Sequence, residues 1–307
     1  MSQVAAWNSL VYQQTVLTVL SFLFVAGIFT YVFRKKNHYF VISWASIKSW
    51  LFVAPLLFLC MGAPEPWPLV VLTCLAILGA KVFFQLMGMF HRSYFVFACY
   101  GAIICLGGLI YFDRIDLYNL MPMLLLGICC LIPLFRNNYR RMIQYIALTQ
   151  LAFVFLGWSF MHLGLVLKLE NGIYQVMYLI ILTEFCDNTV LATSRYFGRS
   201  TVFDRISRKR SVGGFLFSFV LTLLLAFAMR HLLPDRSEKY WLASGIIASL
   251  GGAIGDLVMT VVRRDAGIKI VGAFILGRGD FLNRMDRLIF VAPIYYYVMF
   301  FVLKMST

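Results

Sequence analysis

Apolar runs without charge divide the chain into segments. The first 33 residues contain no Asp, Glu, Lys or Arg, and Arg34-Lys35-Lys36 ends that run. A helix rising about 1.5 Å per residue needs roughly 17–25 apolar residues to cross about 30 Å of hydrocarbon. By that measure the pattern predicts ten spans, near 10–33, 45–62, 67–83, 94–112, 117–135, 142–167, 172–186, 212–229, 241–262 and 288–304. Pro64, Pro66 and Pro68 mark a sharp turn between the second and third. Eight or nine crossings follow instead if an early segment is re-entrant. Only helices satisfy their own backbone in lipid, and the alternation of a barrel strand is absent. The expected fold is an all-α polytopic integral membrane protein.

Composition narrows the class further. Hydrophobic residues make up 62% of the 307 positions and charged ones 13%, against about 45–50% and about 25% in soluble domains. A soluble nucleic-acid binder is excluded despite a net charge of +14, and so are fibres and disorder, given 29 Phe, 16 Tyr and only 8 Pro. Basic residues orient the spans, because cytosolic loops retain them. With the N-terminus outside, 21 of the 27 Lys and Arg fall on inner segments and 6 on outer ones. The expectation is a protein of the bacterial inner membrane with both termini extracytoplasmic and its polar segments cytoplasmic. The first span has no basic residues before it and reads as a retained helix, not a cleaved leader. All seven cysteines lie in or at the ends of spans with no C-x-x-C pair, so they read as reduced packing residues.

Two inner segments, 187–211 and 263–287, hold 12 of the 27 basic residues. Topology or binding of anionic headgroups accounts for charge alone. Their other residues point to phosphate chemistry. Ser194, Ser200, Thr201, Ser207, Ser211, Gly213 and Gly214 are mixed with the cations, and hydroxyls, backbone N–H groups and cations together cradle phosphate oxygens. The stretch from Ser207 to Gly214 runs into a helix whose N-terminus favours an anion. Asp256 interrupts an otherwise uncharged span, where a carboxylate needs a partner or a metal. Asn283 and Asp286 are three apart and share a helical face. Oxygen ligands beside many cations suit Mg²⁺ with a polyphosphate, the combination that phosphoryl or nucleotidyl transfer requires.

These residues resemble the phosphatidate cytidylyltransferases, the CDP-diacylglycerol synthases. The family signature reads G-D-L, then E-S-x-x-K-R-x-x-G-I-K-D, then P-G-H-G-G-x-x-D-R-x-D. The matching stretch here is Gly255-Asp256-Leu257, Met259-Thr260, Arg263 to Ile270, and Leu276 to Asp286, gap-free over 32 positions. An upstream family pattern corresponds to Asp187-Asn188, Ser194-Arg195, Gly198-Arg199, Ser207 to Ser211, and Gly214. The resemblance covers roughly 170–304 and divides the chain into N-terminal membrane helices, 1–169, and a cytidylyltransferase-like region, 170–307. It implies that CTP and phosphatidic acid, or another anionic phospholipid, give CDP-diacylglycerol and pyrophosphate with Mg²⁺ and room for a second cation. Asp256 and Asp286 would hold metal, with Asn283 as a third oxygen ligand. Lys269 and Arg264 would act with the two acids at the reacting phosphates. Asp187, Arg195, Ser207, Arg210, Ser211, Arg263 and Arg284 would take the nucleotide and its phosphates. A homodimer or a larger membrane complex is the expected assembly.

The signature is also altered. Ile270 and Asn283 replace two family aspartates, Arg278 replaces a histidine, Asp280 a glycine, Leu276 a proline and Met259 a glutamate. Gly213 stands before Gly214 where the family has an acid or amide. An Asn offers an oxygen but no charge, so the site loses one negative unit there. Two readings stay open: a membrane nucleotidyltransferase, or an altered paralogue that binds lipid or nucleotide or serves as a partner subunit. A transporter is a third, since Glu184 and Asp256 are intramembrane acids, but no inverted repeat accompanies them.

Overall fold

The computed structural model describes residues 5–33, 38–89, 91–137, 140–194, 211–233, 238–265 and 281–303, excepting the side chains of 38–43, 45, 46, 281–284, 302 and 303. The described residues form helices and short connections, with no strand among them. In chain order the helices are α1 (Leu10–Phe33), α2 (His38–Met61), α3 (Trp67–Leu86), α4 (Ser93–Tyr111) and α5 (Ile115–Phe135). Then come α6 (Met142–Leu167), α7 (Gly172–Thr193), α8 (Val212–Ala228), α9 (Glu238–Asp265) and α10 (Phe281–Tyr297). A π-helical turn, Phe153–Ser159, interrupts α6, and another, Val298–Leu303, follows α10.

Each predicted span overlaps one of these helices. Seven of them (α1, α3, α4, α5, α6, α7 and α9) are long and apolar enough to cross a membrane, which makes this a polytopic membrane protein. The apolar parts of α2 (Ile47–Met61) and α8 (Val212–Ala228) are shorter. The predicted boundaries differ most around the polar segments. Helix α7 runs on to Thr193, α9 to Asp265, and α10 begins at Phe281. A charge ends an apolar run without ending a helix when a neighbouring helix supplies its counter-charge, as the ion pairs below show. All seven cysteines are free thiols, with Cys99, Cys129 and Cys186 buried.

Burial separates a central pillar from peripheral helices. In α6, 72% of the most apolar stretch is buried against other helices, but in α1 only 11% is. Around α6 pack Phe83 and Phe84 of α3, Ile103 and Leu106 of α4, Tyr118 of α5 and Tyr295 of α10, none with measurable exposure beyond 1%. Leu17, Phe22, Val25 and Val32 of α1 instead point outward, the side chains that lipid tails would cover.

Lipid tails are as apolar as Leu, so helices in a membrane associate through close packing, and small residues let backbones approach. Helix α9 is built this way. A Cβ added at Gly255 would lie 2.2 Å from the carbonyl oxygen of Asp286 on α10, so no side chain fits there. One at Gly251 would meet Val291 of α10 at 3.2 Å, and one at Gly252 would meet Thr183 of α7 at 3.2 Å. One at Gly245 would meet Leu223 of α8 at 2.7 Å. The small-residue stripe therefore seats α9 between α7, α8 and α10, and places Asp256 beside Asp286 and Arg287.

Candidate functional site

Helices α7 and α9 end, and α10 begins, at one end of the bundle. Asp187 lies six residues before the end of α7, Asp256 nine before the end of α9, and Asp286 five after the start of α10. At about 1.5 Å per residue, all three acids lie about 8–14 Å inside their helix ends. They are deep enough to leave bulk water and shallow enough to be reached from it.

Arginines link the three helices. Arg287 of α10 is 5% exposed. Its Nη1 lies 2.8 Å from Glu184 Oε2 and its Nη2 2.9 Å from Asp187 Oδ2, both on α7. Glu184 and Asp187 are one turn apart on the same face, which lets one planar guanidinium engage both. Asp256, half-buried on α9, adds its attraction to the same guanidinium. Arg263 of α9 pairs with Asp286 of α10, whose side chain is fully buried. Arg264 and Asp265 are exposed at the end of α9. Four carboxylates and two guanidinium groups thus share the space between three helices.

The start of α8 is fixed to the end of α7. Ser211 caps α8 in an extended conformation, and its Oγ accepts a hydrogen bond from the Gly214 N–H at 3.0 Å. The Ser211 N–H in turn donates to Ser194 Oγ at 3.0 Å. Gly214 is needed because a Cβ there would come within 2.5–2.7 Å of Ser194. One turn further on, Ser218 Oγ donates to the Cys186 carbonyl at 2.7 Å, next to Asp187. The buried Ser211 hydroxyl therefore serves the helix cap, and its N-terminal anion position is partly filled from within.

The structure brings together Asp187, Asp256, Arg263 and Asp286 from the sequence expectations, with Arg264 and Ser211 at the margins. Asn283 and Arg284 lie on the first turn of α10, with side chains outside the described residues. Arg195, Ser207, Arg210 and Lys269 lie outside the described residues altogether. Two participants were not among the expected site residues, Glu184 and Arg287. The signal for both is spacing. Glu184 and Asp187 are three apart, and Arg287 directly follows Asp286, but a span ended at residue 186 puts the two acids in different segments.

A preformed metal centre is a different matter. Among the described residues, no three His, Cys, Asp or Glu side chains converge to hold a metal ion. Asp286 faces Arg263, and Glu184 and Asp187 face Arg287. The arrangement present does not fit a preformed Mg²⁺ site built from these acids.

The cytidylyltransferase family profile matches residues 44–302, most of the chain and every described residue of this cluster. The chain belongs to the cytidylyltransferase family. Curated relatives include the uncharacterized protein YnbB of Escherichia coli K12, 28% identical over 130 residues, 42% of this chain and 44% of the relative. The phosphatidate cytidylyltransferase of Staphylococcus aureus strain COL is 26% identical over 161 residues, 52% of this chain and 60% of its own length. The enzyme of that name from Haemophilus influenzae is 28% identical over 138 residues, 43% and 48% of the two chains. These alignments span about half the length of each relative. The family match begins at residue 44, so it reaches upstream of the signature and takes in the helices packed behind the site.

Proposed function

We propose that the chain transfers a cytidylyl group from CTP to the phosphate of phosphatidic acid or another anionic phospholipid. The observation that supports this most is the coincidence of the family match with the three-helix acid and arginine cluster. A lipid phosphate oxygen attacks the α-phosphorus of CTP. The bond from that phosphorus to the oxygen bridging to the β-phosphorus breaks, and pyrophosphate leaves. The products are CDP-diacylglycerol and pyrophosphate.

In this reading Asp256, Asp286, Lys269 and Arg264 surround the reacting phosphates. Asp187, Arg195, Ser207, Arg210, Ser211, Arg263 and Arg284 serve the nucleotide side. Guanidinium groups supply most of the positive charge, as phosphoryl chemistry demands when bond making and breaking add little for the protein to do. Mg²⁺ is the cation a nucleoside triphosphate ordinarily carries, with room for a second. Asn283 would offer one more oxygen in addition to those of Asp256 and Asp286. Residues 170–307 carry the chemistry, and 1–169 supply the helices that brace α10. The site opens to the cytoplasmic side of a bacterial inner membrane, both termini are extracytoplasmic, and the protein works as a homodimer or within a membrane complex.

The test is product formation. Purified protein with phosphatidate vesicles, labelled CTP and Mg²⁺ should yield a CDP-lipid, lost in Asp256→Asn and Asp286→Asn. No product with any nucleotide ends this reading. One observation favours a second: Asp286 is already engaged by Arg263, as in a site that binds without turning over. Retained phosphatidate binding without product would establish that alternative, a lipid- or nucleotide-binding partner subunit.

A further inference from the structure

A group of ionised acids inside a membrane bundle persists only beside compensating positive charge. A bound divalent ion is one source. Here the described acids are Glu184, Asp187, Asp256 and Asp286, and the chain itself contributes Arg263 and Arg287 among them. Four negative and two positive charges leave a formal −2 among the described residues. Arg287 is the better buried of the two arginines, and it bridges two acids. Glu184 lies against one of its terminal nitrogens and Asp187 against the other, both at ion-pair contact distance. Gly252 allows α9 to come within 3.8 Å of the Arg287 Cβ at the position its own Cβ would take. The clamp is thus enclosed by all three helices. The Arg287 Nε and Nη1 are buried and make no well-aligned hydrogen bond among the described residues, so charge attraction, more than hydrogen-bond geometry, holds the guanidinium beside Glu184.

We propose that Arg287 is a positioning residue that acts as a resident cation at the Glu184–Asp187 face of the site. It holds the place a divalent ion would otherwise take between these acids, and it locks α7 to α10. Glu184 and Asp187 are then not metal ligands in the resting protein. Loss of a family acid at Asn283 and possession of Arg287 act in the same direction, since both lower the number of cations the site requires. This rests on the phosphate-handling reading only in taking the cluster as its site, because the claim concerns cation occupancy without nucleotide.

The experiment measures Mn²⁺ binding by electron paramagnetic resonance to full-length protein in nanodiscs, with no nucleotide present. Arg287→Gln releases two carboxylates from a positive charge at contact distance. Its Mn²⁺ affinity should rise by about tenfold or more over the parent protein. Arg287→Lys keeps the charge and should stay within about twofold of the parent, because a point charge still neutralises the acids without the fork. Glu184→Gln combined with Arg287→Gln removes one of the released ligands and should lose most of the gain. A parent protein that binds Mn²⁺ as tightly as Arg287→Gln overturns the proposal, and so does a folded Arg287→Gln protein with no gain. If Arg287→Gln unfolds on purification, recovery of folded protein by added Mn²⁺ or Mg²⁺ supports the proposal, and failure to recover overturns it. Cytidylyl transfer is not read in any arm. A chain without that activity defeats the proposed function and leaves this result intact, and the reverse also holds.

Discussion

Arg287 sits between Glu184 and Asp187 near one end of α10, and about 14 Å further along that helix Tyr296 and Tyr297 flank His162 of α6. Both places bury polar side chains among apolar helices, and they hold them differently. The His162 place uses no acid among the described residues. Tyr118 Oη donates to the Trp158 carbonyl at 2.6 Å, and His162 Nδ1 lies 2.9 Å from the same oxygen. A ring nitrogen facing a carbonyl must carry the proton, so Nδ1 is the donor. Trp158 lies in the π-helical turn Phe153–Ser159, where the altered hydrogen-bond register is the kind of local widening that side chains exploit. One helix backbone and one tyrosine thus hold Nδ1, while Nε2 is buried without a hydrogen-bond partner among the described residues. The Arg287 place draws on three helices, and each charge there depends on another helix. An ionic cluster ties the fold together and fails as a unit, while a hydrogen-bonded one can lose a member.

The sharpest way to break the ionic side is through its packing. Gly255→Val puts side-chain atoms where even a Cβ lies 2.2 Å from the Asp286 oxygen. That separates α9 from α10 and should abolish folded, monodisperse protein in detergent, beyond the about 1–3 kcal/mol of ordinary overpacking. Next is Arg287→Met, which leaves Glu184 and Asp187 buried without their partner. A broken buried pair costs about 3–5 kcal/mol, read as a lowered thermal midpoint of the solubilised protein. The triple change Glu184→Gln, Asp187→Asn and Arg287→Met removes both signs together and should recover most of that loss. If the triple variant is no more stable than Arg287→Met, the loss came from packing and not from stranded charge.

The two places also differ in how far the sequence announces them. Charge-free runs overlap each of the long helices among the described residues, and a carboxylate inside one of them, Asp256, marked the polar end. The signature then named Asp187, Arg263 and Asp286, which the structure brings together. What hydropathy hides is the pairing. Ending an apolar run at residue 186 assumes that charge means water, whereas Asp187 is 6% exposed because Arg287 meets it. Ser211 shows the converse. A serine among cations reads as a phosphate ligand, yet its hydroxyl caps α8, and both uses have the same sequence signal. His162 left no signal at all, since a π-helical turn depends on how α6 packs and not on a residue pattern.

Smaller changes test how local each contact is. Ser211→Ala removes the acceptor of the Gly214 N–H at the head of α8. A lost cap costs about 1 kcal/mol, and the effect should appear as a modestly lower thermal midpoint, with earlier hydrogen exchange confined to the first turn of α8. Exchange that rises equally along α7 would show that the cap also holds the acid-bearing helix.

The smallest effect belongs to Tyr118→Phe. The ring stays, with its stack on Trp158 at 6.2 Å and its edge contact to His162 at 5.3 Å. Only the hydroxyl goes, and the Trp158 carbonyl it served keeps His162 Nδ1 as a donor. No buried oxygen is therefore stranded, and the cost should fall at the lower end of the about 0.5–1.5 kcal/mol range for a hydrogen bond. Cation binding at the other end of α10 should not change. The measurement pairs a thermal midpoint with a nucleotide-free Mn²⁺ titration. A large loss of stability would mean that the His162 place depends on distant partners as the ionic one does. A shift in Mn²⁺ affinity would mean that α10 couples the two, because a single helix carries Arg287 and both of the tyrosines that flank His162.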